Sequence, residues 1–260
     1  MKFYNMASGS KGNATYIEHN QTKILIDAGI SFKRMKEAMQ DAGFDIYQVT
    51  HVFITHEHVD HIKGMDTLYK NINAPIYTSA GTAKAMSYYQ STVYQTKIRI
   101  VEPLEEFYLD DLTIIPFPLS HDARDPIGFI LKTEDKKIAY ITDTGYIREG
   151  LIPLLSNADL YYMEANHDPY LLKNSPRPFH TIKRILTEKG HLSNEDSAYY
   201  FSQMMGTQTK TLIMAHISDE CNTNDIIKRT YEDVLIAHQK DLDTLEVHYA
   251  SQVPLKVIEL

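Results

Sequence analysis

Four apolar, strand-like segments of this chain run into histidine or aspartate, and this regularity constrains the fold more than any other feature. They are rich in β-branched and aromatic residues and cover residues 51–54, 112–119, 137–141 and 211–214. The histidine or aspartate that follows each of them is, in chain order, His56, His121, Asp143 and His216. Helical patterns lie between the segments, which predicts an α/β fold with sheets covered by helices. Because functional groups gather where strands hand over to loops at one edge of a sheet, these four residues predict a functional site.

Capping residues mark two of the predicted helices. Ser31 predicts the start of a helix that continues to about Ala42. Ser193 and Asp196 form a capping-box pattern, which predicts a second helix that ends at Gly206. Both helices agree with the alternation of strands and helices.

The length and composition favour one globular domain. A chain of 260 residues with 43% hydrophobic content can bury a substantial core. No glycine-serine linker, low-complexity tract or repeat divides it, so we predict a single domain over residues 1–260. No apolar run is long enough for a signal peptide or a membrane span, and the only cysteine, Cys221, excludes an internal disulfide. We therefore expect a cytoplasmic protein that does not associate with membranes.

The charge argues against a broad nucleic-acid-binding surface but leaves room for a local one. The formal net charge is −8, whereas nonspecific nucleic-acid binding usually requires a basic surface. Between residues 173 and 189, however, the sequence contains five basic residues and one acidic residue, Glu188. They are Lys173, Arg177, Lys183, Arg184 and Lys189. This segment is either a solvated helix face or a phosphate-binding patch, and Arg177 is our candidate substrate contact in it.

The segment from Thr55 to His61 holds four residues that suit metal ions. In an extended chain His56 and His58 point the same way and can bind one ion together. A helical pattern over residues 61–68 would turn the chain there and direct Asp60 and His61 toward a neighbouring ion. One short segment can thus serve two metals.

This segment resembles the signature of the metallo-β-lactamase superfamily, and other parts of the chain resemble further motifs of that family. In chain order these are residues 23–29, 119–121, 142–145 and 214–216. The resemblance implies a four-layer αββα sandwich. It also implies a hydrolase in which a hydroxide held between two metal ions attacks an electrophile.

The resemblance assigns a role to each candidate metal ligand. The first ion would be held by His56, His58 and His121, and the second by Asp60, His61 and His216. Asp143 would bridge the two ions, and Asp27 would support the ligands from behind. Imidazole and carboxylate ligands suit zinc but also manganese or iron, so the identity of the two divalent transition-metal ions stays open.

A segment near residue 190 narrows the kind of hydrolase. Residues 190–198 are similar to the helix start of ribonuclease Z in which a histidine protonates the leaving oxygen. That likeness implies a catalytic role for His191, with a carboxylate such as Asp60 keeping it charged. His191 precedes the capping Ser193, and helix N-termini favour phosphate. For Asn166 and His167, substrate contact and hydrogen bonding within the loop remain alternatives.

The chain also resembles the YycJ/WalJ-type group of nucleases. Residues 7–13 resemble the opening motif of that group, which makes Ser10 and Asn13 candidate substrate contacts, and residues 166–168 and 190–193 match as well. This resemblance implies a metal-dependent nuclease, with 5′-to-3′ exonuclease action on DNA and a role in DNA repair as the leading version.

Two other functions remain open at this point. The first is a small-molecule phosphodiesterase, which would act on a substrate such as a cyclic phosphate and which the net charge of −8 slightly favours. The second is a regulatory protein that retains the metal site without catalysis, and the complete ligand set counts against it. The short spacing between His121 and Asp143 leaves no room for the long arm with which ribonuclease Z binds transfer RNA.

Overall fold

The computed structural model describes residues 1–89 and 97–260, apart from the side chains of residues 87–89, and the chain forms two compact units. Unit 1 consists of Met1–Pro118, Ala123–Ile127 and Ala250–Leu260, and unit 2 of Leu119–Asp122 and Gly128–Tyr249. The single domain over residues 1–260 stays a prediction. Among the described residues, the helices are all too short or too polar to cross a membrane.

A seven-stranded mixed sheet forms the centre of unit 1. Its strands are β1 (Lys2–Ala7), β2 (Ala14–His19), β3 (Thr22–Ile26), β4 (His51–Phe53), β5 (Ile76–Thr78), β6 (Ile98–Ile100) and β14 (Ile258–Glu259). Their order across the sheet is β14-β1-β2-β3-β4-β5-β6. The pairs up to β2–β3 are antiparallel, whereas β3, β4, β5 and β6 run parallel. In addition, β7 (Phe107–Leu109) and β8 (Leu112–Pro118) pair as an antiparallel hairpin.

The helices of unit 1 are α1 (Phe32–Asp41), α2 (Val59–Ile62), α3 (Met65–Asn71) and α4 (Ala80–Tyr89). As predicted, Ser31 caps α1, because its hydroxyl accepts a hydrogen bond from the Arg34 amide. The prediction of one helix over residues 61–68 was wrong, because two helices, α2 and α3, are separated there at Gly64. The Gly64 amide donates to the Ala28 carbonyl at 2.7 Å, and a Cβ at this position would lie 2.1 Å from the Ile30 carbonyl oxygen. This close backbone approach ends the helix.

A mostly parallel sheet forms the centre of unit 2. Its strands are β9 (Ile127–Lys132), β10 (Lys137–Ile141), β11 (Leu160–Glu164), β12 (Thr211–Ala215) and β13 (Glu246–Tyr249). β9 pairs antiparallel with β10, and β10, β11, β12 and β13 are parallel. Every residue of β11 and β12 is buried, as is usual for central parallel strands covered on both faces.

The helices of unit 2 are α5 (Ile152–Leu155), α6 (Pro169–Lys173), α7 (Phe179–Ile185), α8 (Asn194–Met204) and α9 (Asn224–Ala237). Ser193 caps α8 as predicted, since its hydroxyl accepts from the Asp196 amide at 3.1 Å. The helix ends at Met204 instead of Gly206, because Met205 already has an extended ψ of 127°.

The strand register brings the ends of the parallel strands of unit 2 to one edge. Ile141 lies opposite Met163, and Met163 lies opposite Met214. The residues that follow these three positions therefore come together at the carboxyl edge of the sheet.

Candidate metal centre

Unit 1 brings together the four predicted ligands of the segment after β4. The rings of His56 and His58 have centroids 4.7 Å apart, and those of His56 and His61 are 4.0 Å apart. Asp60 Oδ2 lies 3.6 Å from His61 Nε2. His56 and His61 are buried, whereas His58 and Asp60 are half-buried. The short helix α2 produces this cluster, because it turns the chain directly after the extended histidine pair.

Asp27 fixes the orientation of His61. Its Oδ1 accepts a hydrogen bond from the Thr55 amide at 2.9 Å, and its Oδ2 lies 2.7 Å from His61 Nδ1. Burial raises the pKa of Asp27, and the neighbouring His61 opposes that rise. With Nδ1 of His61 held by the carboxylate, Nε2 is the nitrogen that can bind a metal. The predicted support of a metal ligand by Asp27 fits these contacts and stays a prediction.

The two candidate substrate contacts of the opening turn have different surroundings. Asn13 is buried, its Oδ1 accepts from the Gly9 amide at 2.8 Å, and its Nδ2 lies 3.0 Å from His61 Nε2. The backbone amide of Asn13 also donates to the Asp60 carbonyl at 2.8 Å. Asn13 therefore ties the turn to the ligand segment, while Ser10 is exposed. Contact of either residue with substrate stays a prediction.

Unit 2 brings together the other three predicted ligands. Asp143 Oδ2 lies 3.8 Å from His121 Nε2, and Asp143 Oδ1 lies 3.5 Å from His216 Nδ1. All three residues are buried. His121 Nδ1 lies 2.9 Å from the Gly190 carbonyl oxygen, which directs its Nε2 toward Asp143.

Three of the predicted site residues have a left-handed backbone. The φ angles are +60° at Asp27, +36° at Asp143 and +50° at His216. Residues other than glycine adopt such angles at a cost of about 1–3 kcal/mol, and these conformations cluster at functional sites. Asp27 and His216 directly follow a strand, and Asp143 is separated from the end of its strand by Thr142 alone. The backbone turns there, so the side chain is presented at the sheet edge.

Glu164, for which no role was predicted, joins two of the candidate site histidines. It ends β11 and is fully buried. Its Oε1 accepts hydrogen bonds from His191 Nδ1 at 2.7 Å and from His216 Nδ1 at 2.9 Å. Its Oε2 accepts from the Thr144 amide at 2.9 Å. The same strand-end regularity that identified the ligands would have identified Glu164.

The histidines beside Glu164 keep it ionised. Burial alone would raise its pKa, but the charge and hydrogen bond of His191, together with the hydrogen bond of His216, lower the pKa below its usual range. Glu164 is thus a buried carboxylate that holds one predicted metal ligand and one predicted proton donor at the same time.

His191 lies among the ligands of unit 2. Its ring centroid is 4.9 Å from that of His121 and 5.1 Å from that of His216. The carboxylate that contacts it in this unit is Glu164, and not Asp60 as predicted. Because Nδ1 of His191 bonds to Glu164, Nε2 is the nitrogen that can hold or deliver a proton.

The loop after β11 contains one residue that supports a ligand and one without side-chain partners. Asn166 Nδ2 donates to the His216 carbonyl at 2.8 Å, which joins the loop after β11 to the residue that follows β12. Contact of Asn166 with substrate stays a prediction. His167 is buried, and among the described residues neither of its ring nitrogens has a hydrogen-bond partner. Burial lowers the pKa of His167 to about 4. Contact of His167 with substrate stays a prediction.

Two of the five basic residues between 173 and 189 are paired with acidic side chains. Arg177 Nε lies 2.9 Å from Glu220 Oε2, and Arg184 pairs with Asp122. The excess positive charge of the segment is therefore smaller than the sequence suggests. Substrate contact by Arg177 stays a prediction.

The donor chemistry of both units fits a divalent metal ion. Nδ1 of each of four histidines lies within 3.0 Å of a protein oxygen, which leaves Nε2 as the coordinating atom. These histidines are His56, His61, His121 and His216. In unit 2 the ligand atoms of His121, Asp143 and His191 all lie within 4.8 Å of one another. An α/β fold with such clusters at its strand ends defines a metal-dependent hydrolase.

Comparison with known proteins gives the family. Residues 22–217 match the β-lactamase superfamily domain, and the chain belongs to that superfamily. It is 31% identical over 235 residues to a Bacillus anthracis protein called exodeoxyribonuclease YycJ, covering 90% of this chain and 89% of that protein. It is 34% identical over 231 residues to exodeoxyribonuclease WalJ of Streptococcus pneumoniae serotype 2, covering 88% of this chain and 86% of that protein.

A solved structure supports the fold. The metallo-β-lactamase fold protein YhfI from Bacillus subtilis superposes with a TM-score of 0.71 at 14% identity, covering 100% of this chain and 99% of that one. The predicted α/β fold class is thereby confirmed, with two mixed sheets flanked by helices, and so is the resemblance to the YycJ/WalJ-type group.

Proposed function

We propose that this protein is a metal-dependent exonuclease that degrades DNA from 5′ to 3′, acts in DNA repair and works in the cytoplasm. The observation that carries the proposal is the hydrogen bond of 2.7 Å between His191 Nδ1 and the buried Glu164, next to two predicted metal ligands. The names of the relatives in Bacillus anthracis and Streptococcus pneumoniae support a DNA substrate.

Two divalent transition-metal ions, zinc, manganese or iron, are part of the proposal. We adopt the ligand assignment that the family resemblance implies, with Asp143 shared between the ions and Asp27 holding His61. Bound ions supply an activated water as the nucleophile and neutralise the negative charge that develops on the phosphate. His56, His61, His121 and His216 would each contribute Nε2, because Nδ1 of these four rings is held by the protein.

His191 is the proposed proton donor to the leaving oxygen. The 3′ oxygen of a nucleotide is a poor leaving group, so its departure needs a proton in the transition state. Glu164 holds the imidazole of His191 through the hydrogen bond of 2.7 Å at Nδ1. The same carboxylate fixes the ring, so that the proton on Nε2 points away from Glu164.

His191→Ala tests the proposal against a general hydrolase of the same fold. We expect cleavage of DNA to slow by about 10²-fold or more, the usual scale of general acid–base catalysis. A nitrophenyl phosphodiester, whose leaving group needs little protonation, should lose far less, and the metal content should not change. The control is His238→Ala, because His238 is an exposed histidine of the same unit.

The substrates of this assay separate the alternatives. Purified protein is incubated with manganese or zinc and with DNA labelled at the 5′ or the 3′ end, with RNA, with a cyclic nucleotide and with the nitrophenyl ester. Hydrolysis of the small esters alone would favour a small-molecule phosphodiesterase. No hydrolysis with any metal would favour a regulatory protein, and equal losses on DNA and ester in His191→Ala would exclude proton donation.

A further inference from the structure

We propose that the exposed faces of α6 and α7 form a stacking platform for an unpaired DNA strand, on which Phe179 holds a base and Lys183 a phosphate. This inference rests on the proposed function, since it names the surface by which unit 2 would hold the substrate. The platform is defined as Tyr170, Lys173, Phe179 and Lys183.

Two aromatic rings of the platform lie in solvent. Phe179 is 80% exposed and Tyr170 is 73% exposed, the highest values of any aromatic side chain that the structure describes. Both helices pack on one small apolar cluster of Leu172, Ile185 and Cys221, so the inner faces of the helices are used by the fold. The exposed rings contribute little to that cluster, and their exposure calls for a partner that covers aromatic surface.

The charge next to the rings selects the kind of partner. Lys173 and Lys183 are exposed, and within residues 1–89 and 97–260 neither forms an ion pair. Arg177 and Arg184, in contrast, are paired with Glu220 and Asp122. Of the three basic residues of the segment that have no ion pair among the described residues, Lys173 and Lys183 therefore lie on the helices that carry the exposed rings, while Lys189 lies outside them. Proteins that bind unpaired strands use aromatic rings on which bases stack and positively charged side chains that bind the phosphates. Exposed rings together with lysines therefore suit an unpaired strand.

The spacing on α7 matches this use. Phe179 and Lys183 are four residues apart, so they lie on the same face of the helix, one turn from each other. A base on the ring would place a backbone phosphate of the same strand near the ammonium group. Stacking of this kind tolerates any base, as an exonuclease requires.

The end of α7 is joined to the proposed catalytic residues of unit 2. The His191 amide donates to the Ile185 carbonyl at 3.1 Å, and the Gly190 carbonyl oxygen lies 2.9 Å from His121 Nδ1. Arg184 pairs with Asp122, which follows His121 in the chain. Phe179 lies six residues before Ile185, about 9 Å along the helix axis. A strand on the platform would thus be held a short distance from His191.

The absence of tryptophan from the sequence gives a direct test of stacking. Phe179→Trp introduces a single tryptophan whose fluorescence reports the platform alone. We expect strong quenching by a phosphorothioate oligothymidylate and little quenching by an abasic oligomer of the same length and charge. Tyr108→Trp is the matched control, because Tyr108 is an aromatic residue of unit 1 that is 66% exposed.

Affinity measurements test the two contacts separately. Phe179→Ala should weaken binding of the oligothymidylate by roughly tenfold, the usual scale for one stacked base. Lys183→Ala should lower the slope of log affinity against log salt by about 0.7, as expected for one phosphate contact on a single strand. Turnover of the nitrophenyl ester should not change in either variant.

The outcomes distinguish the platform from the proposed function. Wild-type cleavage of DNA combined with no quenching and unchanged affinities would overturn the platform and leave the function standing. Quenching of Phe179→Trp by the oligothymidylate without any DNA cleavage would support the platform and contradict the exonuclease. Equal quenching by the abasic oligomer would overturn base stacking.

Discussion

His167 should make the protein lose stability at mildly acid pH. The residue is 1% exposed, and among the described residues its two ring nitrogens have no hydrogen-bond partner. A proton on this ring would create a buried cation without a partner. Burial therefore lowers the pKa of His167 to about 4, although the nearby Glu164 favours the charged form.

The sign and size of the effect follow from proton linkage. In the unfolded chain a histidine titrates near pH 6.5, so between pH 6.5 and 4 the unfolded state binds a proton that the folded state does not. The contribution of His167 to folding is fully present above pH 6.5 and is lost as the pH falls toward 4. A shift of this size corresponds to about 3 kcal/mol in total, of which about 2 kcal/mol is lost at pH 5.

The assay compares urea denaturation of the wild type and His167→Gln at pH 7.5 and pH 5.0, with a chelator present so that metal release does not contribute. We expect the free energy of unfolding of the wild type to fall by about 2 kcal/mol more than that of the variant. His180→Gln is the control, because His180 is exposed. A variant that loses as much stability as the wild type would refute a buried, neutral His167.

Two further predictions concern single positions. Asp27→Asn should weaken zinc binding in a chelator competition assay by about 10- to 100-fold, because asparagine tolerates the φ of +60° but does not supply the carboxylate. The control is Asp110→Asn, at a φ of +54°, which should leave the zinc affinity unchanged. Equal zinc affinities of the two variants would contradict the supporting role of Asp27. In a urea titration, Gly145→Ala should lower the free energy of unfolding by about 1–3 kcal/mol, because the new Cβ would lie 2.3 Å from the Glu188 carbonyl oxygen. The control Gly150→Ala should be nearly neutral, because no described heavy atom lies within 4 Å of its new Cβ.

The individual strands and the cluster of His56 and His61 in unit 1 could be predicted from the sequence because local patterns determine them. A strand such as β12 is a short run of buried apolar residues, and the residue after it is held at the sheet edge by the backbone alone. His56 and His61 come together because one short segment turns. None of these features depends on which distant residue lies alongside.

The predictions that were wrong concern features that depend on contacts between distant segments. Gly64 separates two helices because the backbone at Ala28 lies against it, and no pattern in residues 61–68 contains that information. The partner of His191 is Glu164, which the register of β11 beside β12 brings to His216. The strand-end regularity marks Glu164 as a candidate, but only the register shows which histidines its carboxylate contacts.

The basic segment shows how such distant contacts change a functional reading. From the sequence Arg177 was the natural candidate for a phosphate contact, yet its guanidinium is engaged by Glu220, 2.9 Å away. Changing Arg177 to glutamate would set two carboxylates against each other and report on folding as much as on binding. Lys183 is exposed and has no ion pair among the described residues, so its removal breaks no salt bridge there. The charge available to substrate is thus determined by which cations the acidic residues of the same unit leave unpaired.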